Sequence, residues 1–260
     1  MTSPAKSSAT VTVLGSGTFI PNLKKNASGY LLELADKKII IDCGSGTLLQ
    51  LEKLGKELYK ELDYIFITHL HPDHTSDLAA LMQVLEWFPN SGRKKELVLV
   101  GPKGTNDFYD KFLLPIIGPN ENKKFKITVQ EIKERLSFAD FRVETLKAKH
   151  PGNCLIYKFS TDQKKLVYSG DTGYVPKMVE FAQDADVLIL ECTHPSREKN
   201  GWDGHLNAEQ CAKIAKESNS KQLILSHLPR DEEDNQNKLK IVKKEFPNVA
   251  LTYDLMEIVL

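Results

Sequence analysis

The sequence predicts a layered α/β fold. Short apolar runs of strand character alternate with amphipathic stretches of helical period along the whole chain. The same alternation returns in both halves, and no long linker or low-complexity segment separates them. The 260 residues suffice for one large α/β domain or two small ones. Strands mixed with helices in both halves favour one domain over residues 11–260, behind a small, polar tail of residues 1–10.

The elements follow in order. Val11–Leu14, Tyr30–Leu34 and Lys38–Asp42 read as strands, and the Gly-, Pro- and Asn-rich stretch GSGTFIPNLKKNAS between the first two reads as a loop. Thr47–Leu58 places Leu48, Leu51, Leu54 and Leu58 on one helical face. Leu62–Thr68 is a strand that runs into HLHPDH, and Ser76–Trp87 a helix behind it. Leu97–Val100, a short helix near Thr105–Leu113, and strands at Phe125–Glu131 and Phe141–Lys147 complete the first half. In the second half, Leu155–Phe159, Leu166–Ser169, Val187–Glu191 and Leu223–Ser226 are expected strands, with helices at Val175–Gln183, Asn207–Glu217 and Asp231–Phe246. Asn207 and Gln210 have the spacing of a capping box. The last helix is acidic at its start and basic near its end, as the helix dipole prefers. Leu251–Tyr253 and Ile258–Leu260 close the chain as strands.

Composition narrows the function. Lys and Arg number 35 and Asp and Glu 35, so the net charge lacks the basic excess common in nucleic-acid-binding domains. The basic clusters Arg93-Lys94-Lys95, Lys123-Lys124 and Lys147-Ala148-Lys149 read as solvated surface. No apolar run nears the roughly 20 residues of a membrane helix. The opening MTSPAKSSAT has no apolar core segment, so a secretory signal is not expected. Cys43, Cys154, Cys192 and Cys211 show no close pairing, which suggests reduced thiols in a cytoplasmic protein.

The chemistry concentrates at Thr68-His69-Leu70-His71-Pro72-Asp73-His74. Imidazoles and carboxylates are the ligand set of zinc and similar metals. On extended backbone His69 and His71 point to one side. A turn at Pro72 swings Asp73 and His74 toward a second point, so this one segment can serve two metals. His150, Asp171 and His227 each stand just past the C-terminal end of an expected strand, where α/β sheets place their sites. Of the seven histidines, His69, His71, His74, His150, His205 and His227 enter this constellation, and His194 reads as a loop residue.

HLHPDH, the later His150, SGDT and SHLPR resemble the metallo-β-lactamase-fold hydrolases over nearly the whole chain. GSGTFIPNLKKNASGYLLE, VLILECTH and GHLNAEQCAKIAKE resemble the ribonuclease Z and phosphodiesterase branch. The resemblance implies an αββα sandwich, two mixed sheets flanked by helices. It implies two divalent metal ions, Zn2+ with Mn2+ or Fe2+ as alternatives. His69, His71 and His150 would hold one, Asp73, His74 and His227 the other, and Asp171 would bridge both. It makes Asp42 a residue that orients a ligand, and Glu191 the partner that orients His205, the candidate proton donor. Asp73 is a further candidate for proton transfer. Homodimers are common in that branch.

Two departures bear on the substrate. Only PGNCLIYKFSTDQKKLVY lies between His150 and Ser169, where bacterial ribonuclease Z carries a long tRNA-gripping arm. Gly173-Tyr174 follows SGDT where an Arg is common in those enzymes. The favoured reading is a dinuclear-metal phosphodiesterase on a small or flexible diester. The alternatives are a tRNA 3′-processing endonuclease acting on RNA without the arm, and a thioester, lactone or sulfate ester hydrolase on the same fold. Gly15 and Gly17 read as a tight turn, and Cys43 and Cys192 as packing residues.

Overall fold

The computed structural model describes residues 9–55, 57–87, 93–119, 124–196 and 202–260. The expected tail lies almost wholly outside these residues, as does Lys123. The first sheet is built from β1 (Thr10–Gly15), β2 (Gly29–Leu34), β3 (Lys37–Cys43), β4 (Leu62–Phe66), β5 (Leu97–Gly101) and β6 (Ile127–Glu131). The second comprises β7 (Arg135–Ser137), β8 (Arg142–Lys147), β9 (Leu155–Ser160), β10 (Lys165–Tyr168), β11 (Val187–Glu191), β12 (Gln222–Ser226) and β13 (Val249–Leu251). The final strand, β14 (Glu257–Val259), returns to the edge of the first sheet beside β1.

The sheet orders are β14-β1-β2-β3-β4-β5-β6 and β7-β8-β9-β10-β11-β12-β13. Each runs through three antiparallel neighbours and then three parallel ones. The two sheets share one core: Val11, Val13, Tyr30, Ile39, Ile41 and Phe66 meet Tyr157, Phe159, Tyr168, Ile189 and Ile224. Ile40, Ile65 and Leu99 face outward and pack under the helices Thr47–Leu54, Leu78–Trp87 and the segment around Tyr109–Leu113. Leu188, Leu190, Leu223 and Leu225 pack under Ala208–Glu217 and Glu232–Glu245. Strands buried on both faces read as continuous apolar runs, which is why LVLV, VLIL and LIL lack polar alternation. The four layers, helix–sheet–sheet–helix, are the architecture the sequence motifs imply.

Several boundaries differ from the sequence reading. The helix expected over Thr47–Leu58 stops at Leu54, because Gly55 takes φ 119°, and a short helix Glu57–Glu61 follows. The helix expected from Ser76 starts as Pro72–Thr75, with Pro72 in the first turn, and resumes at Leu78. The expected helix Val175–Gln183 shrinks to Met178–Phe181. The last two strands fall one or two residues earlier than expected. The capping box at Asn207 forms: its side chain accepts from Gln210 N–H at 2.8 Å and the Gln210 side chain accepts from Asn207 N–H at 3.1 Å.

Candidate active site

The C-terminal ends of β3, β4, β10, β11 and β12 converge on one rim between the sheets. They deliver Asp42, the HLHPDH segment, Asp171, Glu191 and His227 to that rim. The two sheets are tied together there: Tyr157 O–H donates to Ile67 O at 2.8 Å, and Leu155 N–H to Thr68 O at 3.0 Å. The backbone leaves β3 and β12 in the left-handed region, with φ 56° at Asp42 and 52° at His227. That conformation costs roughly 1–2 kcal/mol for a residue with a Cβ, and here it turns both side chains into the rim. Gly170, φ 53°, sets Asp171 at the end of β10, and a Cβ there would fall 2.8 Å from Thr68 Cβ.

Two clusters form. In the first, His69 Nε2 lies 3.0 Å from His71 Nδ1, which lies 3.3 Å from His150 Nε2. Asp171 Oδ2 stands 3.9 Å from His69 Nε2 and 3.8 Å from His150 Nε2. In the second, Asp171 Oδ1 stands 3.3 Å from His74 Nε2 and 3.4 Å from His227 Nε2. Asp73 Oδ2 lies 3.3 Å from His227 Nε2 and 3.7 Å from His74 Nε2. Asp171 therefore gives one carboxylate oxygen to each cluster. Both groupings have the residue types and spacing to hold a metal ion. His74 Nε2 and Asp171 Oδ1 are buried, face each other, and have no hydrogen-bond partner. Buried polar atoms are seldom left so, and a divalent cation would satisfy both.

The opposite ring nitrogens are anchored. His74 Nδ1 bonds Asp42 Oδ2 at 2.7 Å. His69 Nδ1 lies 3.0 Å from Thr68 Oγ1, whose hydroxyl donates to Asp42 Oδ2 at 2.8 Å. His150 Nδ1 donates to Gly204 O at 3.0 Å, and His227 Nδ1 lies 2.7 Å from Thr193 Oγ1. With Nδ1 occupied, each of these four rings presents Nε2 inward. Asp42 is fully buried and also accepts from Thr68 N–H at 2.7 Å and Tyr168 O–H at 2.9 Å.

Electrostatics follow from this crowding. Burial lowers His69, and the neighbouring His74 charge lowers it further, far below the ordinary imidazole range. Burial also opposes charge on His74, but the Asp171 and Asp42 carboxylates outweigh it and hold its proton well above that range. Asp171 is fully buried, a force that raises its pKa, yet His227 and His74 bring it well below the usual carboxylate range. Both clusters therefore face the ionised Asp171 carboxylate.

Beside the clusters, His205 Nδ1 lies 2.6 Å from Glu191 Oε1. Glu191 is buried and also accepts from Thr172 N–H at 2.9 Å and Thr193 N–H at 3.0 Å. Burial pulls His205 down, but the Glu191 hydrogen bond and charge raise it above its ordinary value. Its ring sits 5.1 Å from that of His150 and 5.9 Å from that of His227. A cavity of about 380 Å³, lined by His69, His71, Lys103, Pro151 and Asn153 among others, opens beside the first cluster.

Residues 37–228 match the family described as the beta-lactamase superfamily domain. The chain belongs to the beta-lactamase superfamily. It is a hydrolase of the metallo-β-lactamase family. Its sequence is 27% identical to the ribonuclease Z of Clostridium tetani over 306 aligned positions, covering 95% of this chain and 96% of that one. The crystal structure of the metallo-β-lactamase fold protein YhfI from Bacillus subtilis superposes with TM-score 0.84 at 25% identity, covering 98% of this chain and all of the other. The short form of human tRNase Z superposes with TM-score 0.79, also at 25% identity, over 96% of this chain and 98% of that one.

The residues singled out for the site from the sequence all reach the rim, and His194 is the loop residue the sequence suggests. That residue lies in the loop after β11, outside both clusters, with Nδ1 3.1 Å from Pro195 O. Cys43 and Cys192 are buried, and burial raises the Cys43 thiol well above its ordinary pKa, as suits packing. Gly17 N–H donates to Asn26 O at 2.8 Å, closing the loop after β1 on itself. The sequence reading of Arg93 as solvated surface is wrong. Arg93 is 3% exposed; its guanidinium donates to Lys60 O, Leu62 O and Glu96 O and lies 4.8 Å from the Phe125 ring centroid. Lys94 and Lys95 are exposed as expected. No helix among the described residues is long and apolar enough to cross a membrane.

Sequence reasoning missed four supporting residues. Thr68 and Thr193 orient His69 and His227, and their only signal is adjacency to the motif and to Glu191. Tyr168 donates to Asp42 from within an apolar strand. Lys238 is fully buried; Nζ donates to Cys192 O at 2.8 Å and Thr193 O at 3.3 Å and pairs with Asp234 at 3.3 Å. Its spacing to Asp234 resembles a surface ion pair.

Proposed function

We propose that this protein is a dinuclear-metal phosphodiesterase acting on a small or flexible diester. The observation that carries the reading is Asp171, whose two oxygens each face a separate cluster. His69, His71 and His150 would hold one ion, Asp73, His74 and His227 the other, with Asp171 between them and Asp42 fixing His74 and, through Thr68, His69. Zn2+ suits the His-rich set, and Mn2+ or Fe2+ are chemically compatible. A bound ion pair supplies a nucleophile at neutral pH and charge stabilisation for an in-line displacement. The chain's own contribution is at the leaving group: His205, oriented by Glu191 and held toward its protonated form, delivers a proton to the departing alkoxide. Asp73 is a second group able to move a proton at the buried cluster.

Processing of tRNA 3′ ends is the second reading, supported by relatives named ribonuclease Z over 95% of the chain. Alignment lengths weigh against this second reading. The 306 positions aligned with the Clostridium tetani enzyme exceed the 260 residues of this chain, so that enzyme carries segments this chain lacks. The alignment to the Bacillus subtilis YhfI sequence needs only 220 positions for 84% of this chain, almost without such insertions.

The test is hydrolysis of bis-p-nitrophenyl phosphate by metal-loaded protein beside chelator-treated protein. Chelator-sensitive turnover is the expected result, and a pre-tRNA substrate in parallel decides between the two readings. Metal bound without turnover of either substrate would shift the chemistry to thioesters, lactones or sulfate esters.

A further inference from the structure

We infer that Trp202 is a specificity-determining residue of this site, a fixed aromatic wall on which a nucleobase of the substrate stacks. The inference rests on the phosphodiesterase reading and names the substrate class of that site.

Three observations carry it. First, Trp202 stands at the mouth of the site, its ring 5.3 Å from that of His150 and 5.1 Å from that of His205. One neighbour belongs to the first cluster and the other is the candidate proton donor. Second, the indole is held in place. Its six-membered ring packs on Gly204, where an added Cβ would fall 2.2 Å from it. Gly204 O accepts from His150 Nδ1 at 3.0 Å, and Asp203 pairs with Lys149, the residue before His150. A segment of three residues is thus tied to the His150 loop at both of its polar positions. Third, the indole is nevertheless 55% exposed. Both ring contacts are edge-type, at 66° and 77°, and no described ring stacks on it.

A large aromatic side chain that is ordered and left half in solvent beside a polar site offers apolar area at little entropic cost to a ligand. Stacking is the arrangement its present neighbours leave unused. A nucleobase has the matching planar surface and would sit within reach of a phosphodiester held at the clusters. A simple apolar core role would bury the ring, and a purely structural role for His150 is already met by the Gly204 carbonyl.

The test uses the full chain with Trp87→Phe, since Trp87 is the only other tryptophan. Fluorescence of Trp202 is titrated with adenosine monophosphate, a short single-stranded RNA, and ribose 5-phosphate. Quenching by the first two and not the third is expected. Tighter binding of the RNA would place the base in an RNA end, and equal binding in a small nucleotide. In turnover, Trp202→Ala should raise KM roughly five- to hundred-fold for a nucleoside 5′-p-nitrophenyl phosphate. KM for methyl p-nitrophenyl phosphate should barely change, and Trp202→Phe should recover most of the loss. Equal quenching by ribose 5-phosphate, or equal losses on both esters, would overturn the inference. Quenching without turnover of any diester would instead fail the phosphodiesterase reading and leave the aromatic wall standing.

Discussion

The two clusters share Asp171 but differ in setting. Asp73, His74 and His227 are all buried, and Asp42 and Thr193 close off the far sides of the two rings. In the other cluster, His71 and His150 are only partly buried, and a cavity and Trp202 lie beside them. The buried cluster is therefore part of the core as much as of the site. The open cluster faces a cavity, and His205 stands on its margin. Two groups of candidate metal ligands on one rim thus divide into a set packed within the protein and a set that meets solvent.

Two alanine variants would break this contrast if it is wrong. His74→Ala and His71→Ala should both bring diester hydrolysis to background. They should differ once metal is removed. His74 lies between two buried carboxylates, so losing it leaves uncompensated charge and costs about 3–5 kcal/mol of stability. Metal-free His71→Ala should stay within about 1 kcal/mol of the parent. Thermal unfolding of the chelated proteins reads the difference, and equal Tm losses would mean that burial does not divide the clusters.

His205→Ala tests the open side next. Turnover should fall about 10²–10⁴-fold while bound metal, measured by elemental analysis, is unchanged. Loss of metal would move His205 into the ligand set beside His227, which it neighbours.

The division between the clusters also explains what was legible in the sequence. His69, His71, Asp73 and His74 announce themselves because ligand residues of that density occur in one short segment. His150, Asp171 and His227 are separate in sequence but share one rule, a position just past a strand end. The four layers follow from apolar runs that need cover on both faces. What stayed hidden acts through atoms that a residue type does not reveal. Thr193 serves through one hydroxyl, Gly204 through one carbonyl, and Asp42 and His227 through a left-handed backbone that spacing does not predict. Arg93 was misread because a basic triplet looks solvated until three carbonyls and a ring are found around one guanidinium. The helix end at Leu54 moved because Gly55 overrides an apolar period.

The smallest effect expected is at Lys238, which reaches the buried cluster at two removes. Its Nζ fixes the carbonyls of Cys192 and Thr193, and Thr193 in turn meets His227 Nδ1 and donates its N–H to Glu191. Lys238→Met keeps the buried methylenes but leaves two carbonyls and Asp234 without this donor. A loss of about 1–3 kcal/mol is expected for such unpaired groups, read as a lower Tm. Removing a residue that directly supports a ligand typically costs 10–100-fold in metal affinity or activity, so a group one step further out should cost less than about 10-fold. The informative readout is metal release under a chelator. If the loop transmits its order through Thr193, release of one ion should quicken while the other, held at His71 and His150, keeps its rate. A uniform acceleration of both would mean that Lys238 supports the fold as a whole and not the buried cluster in particular.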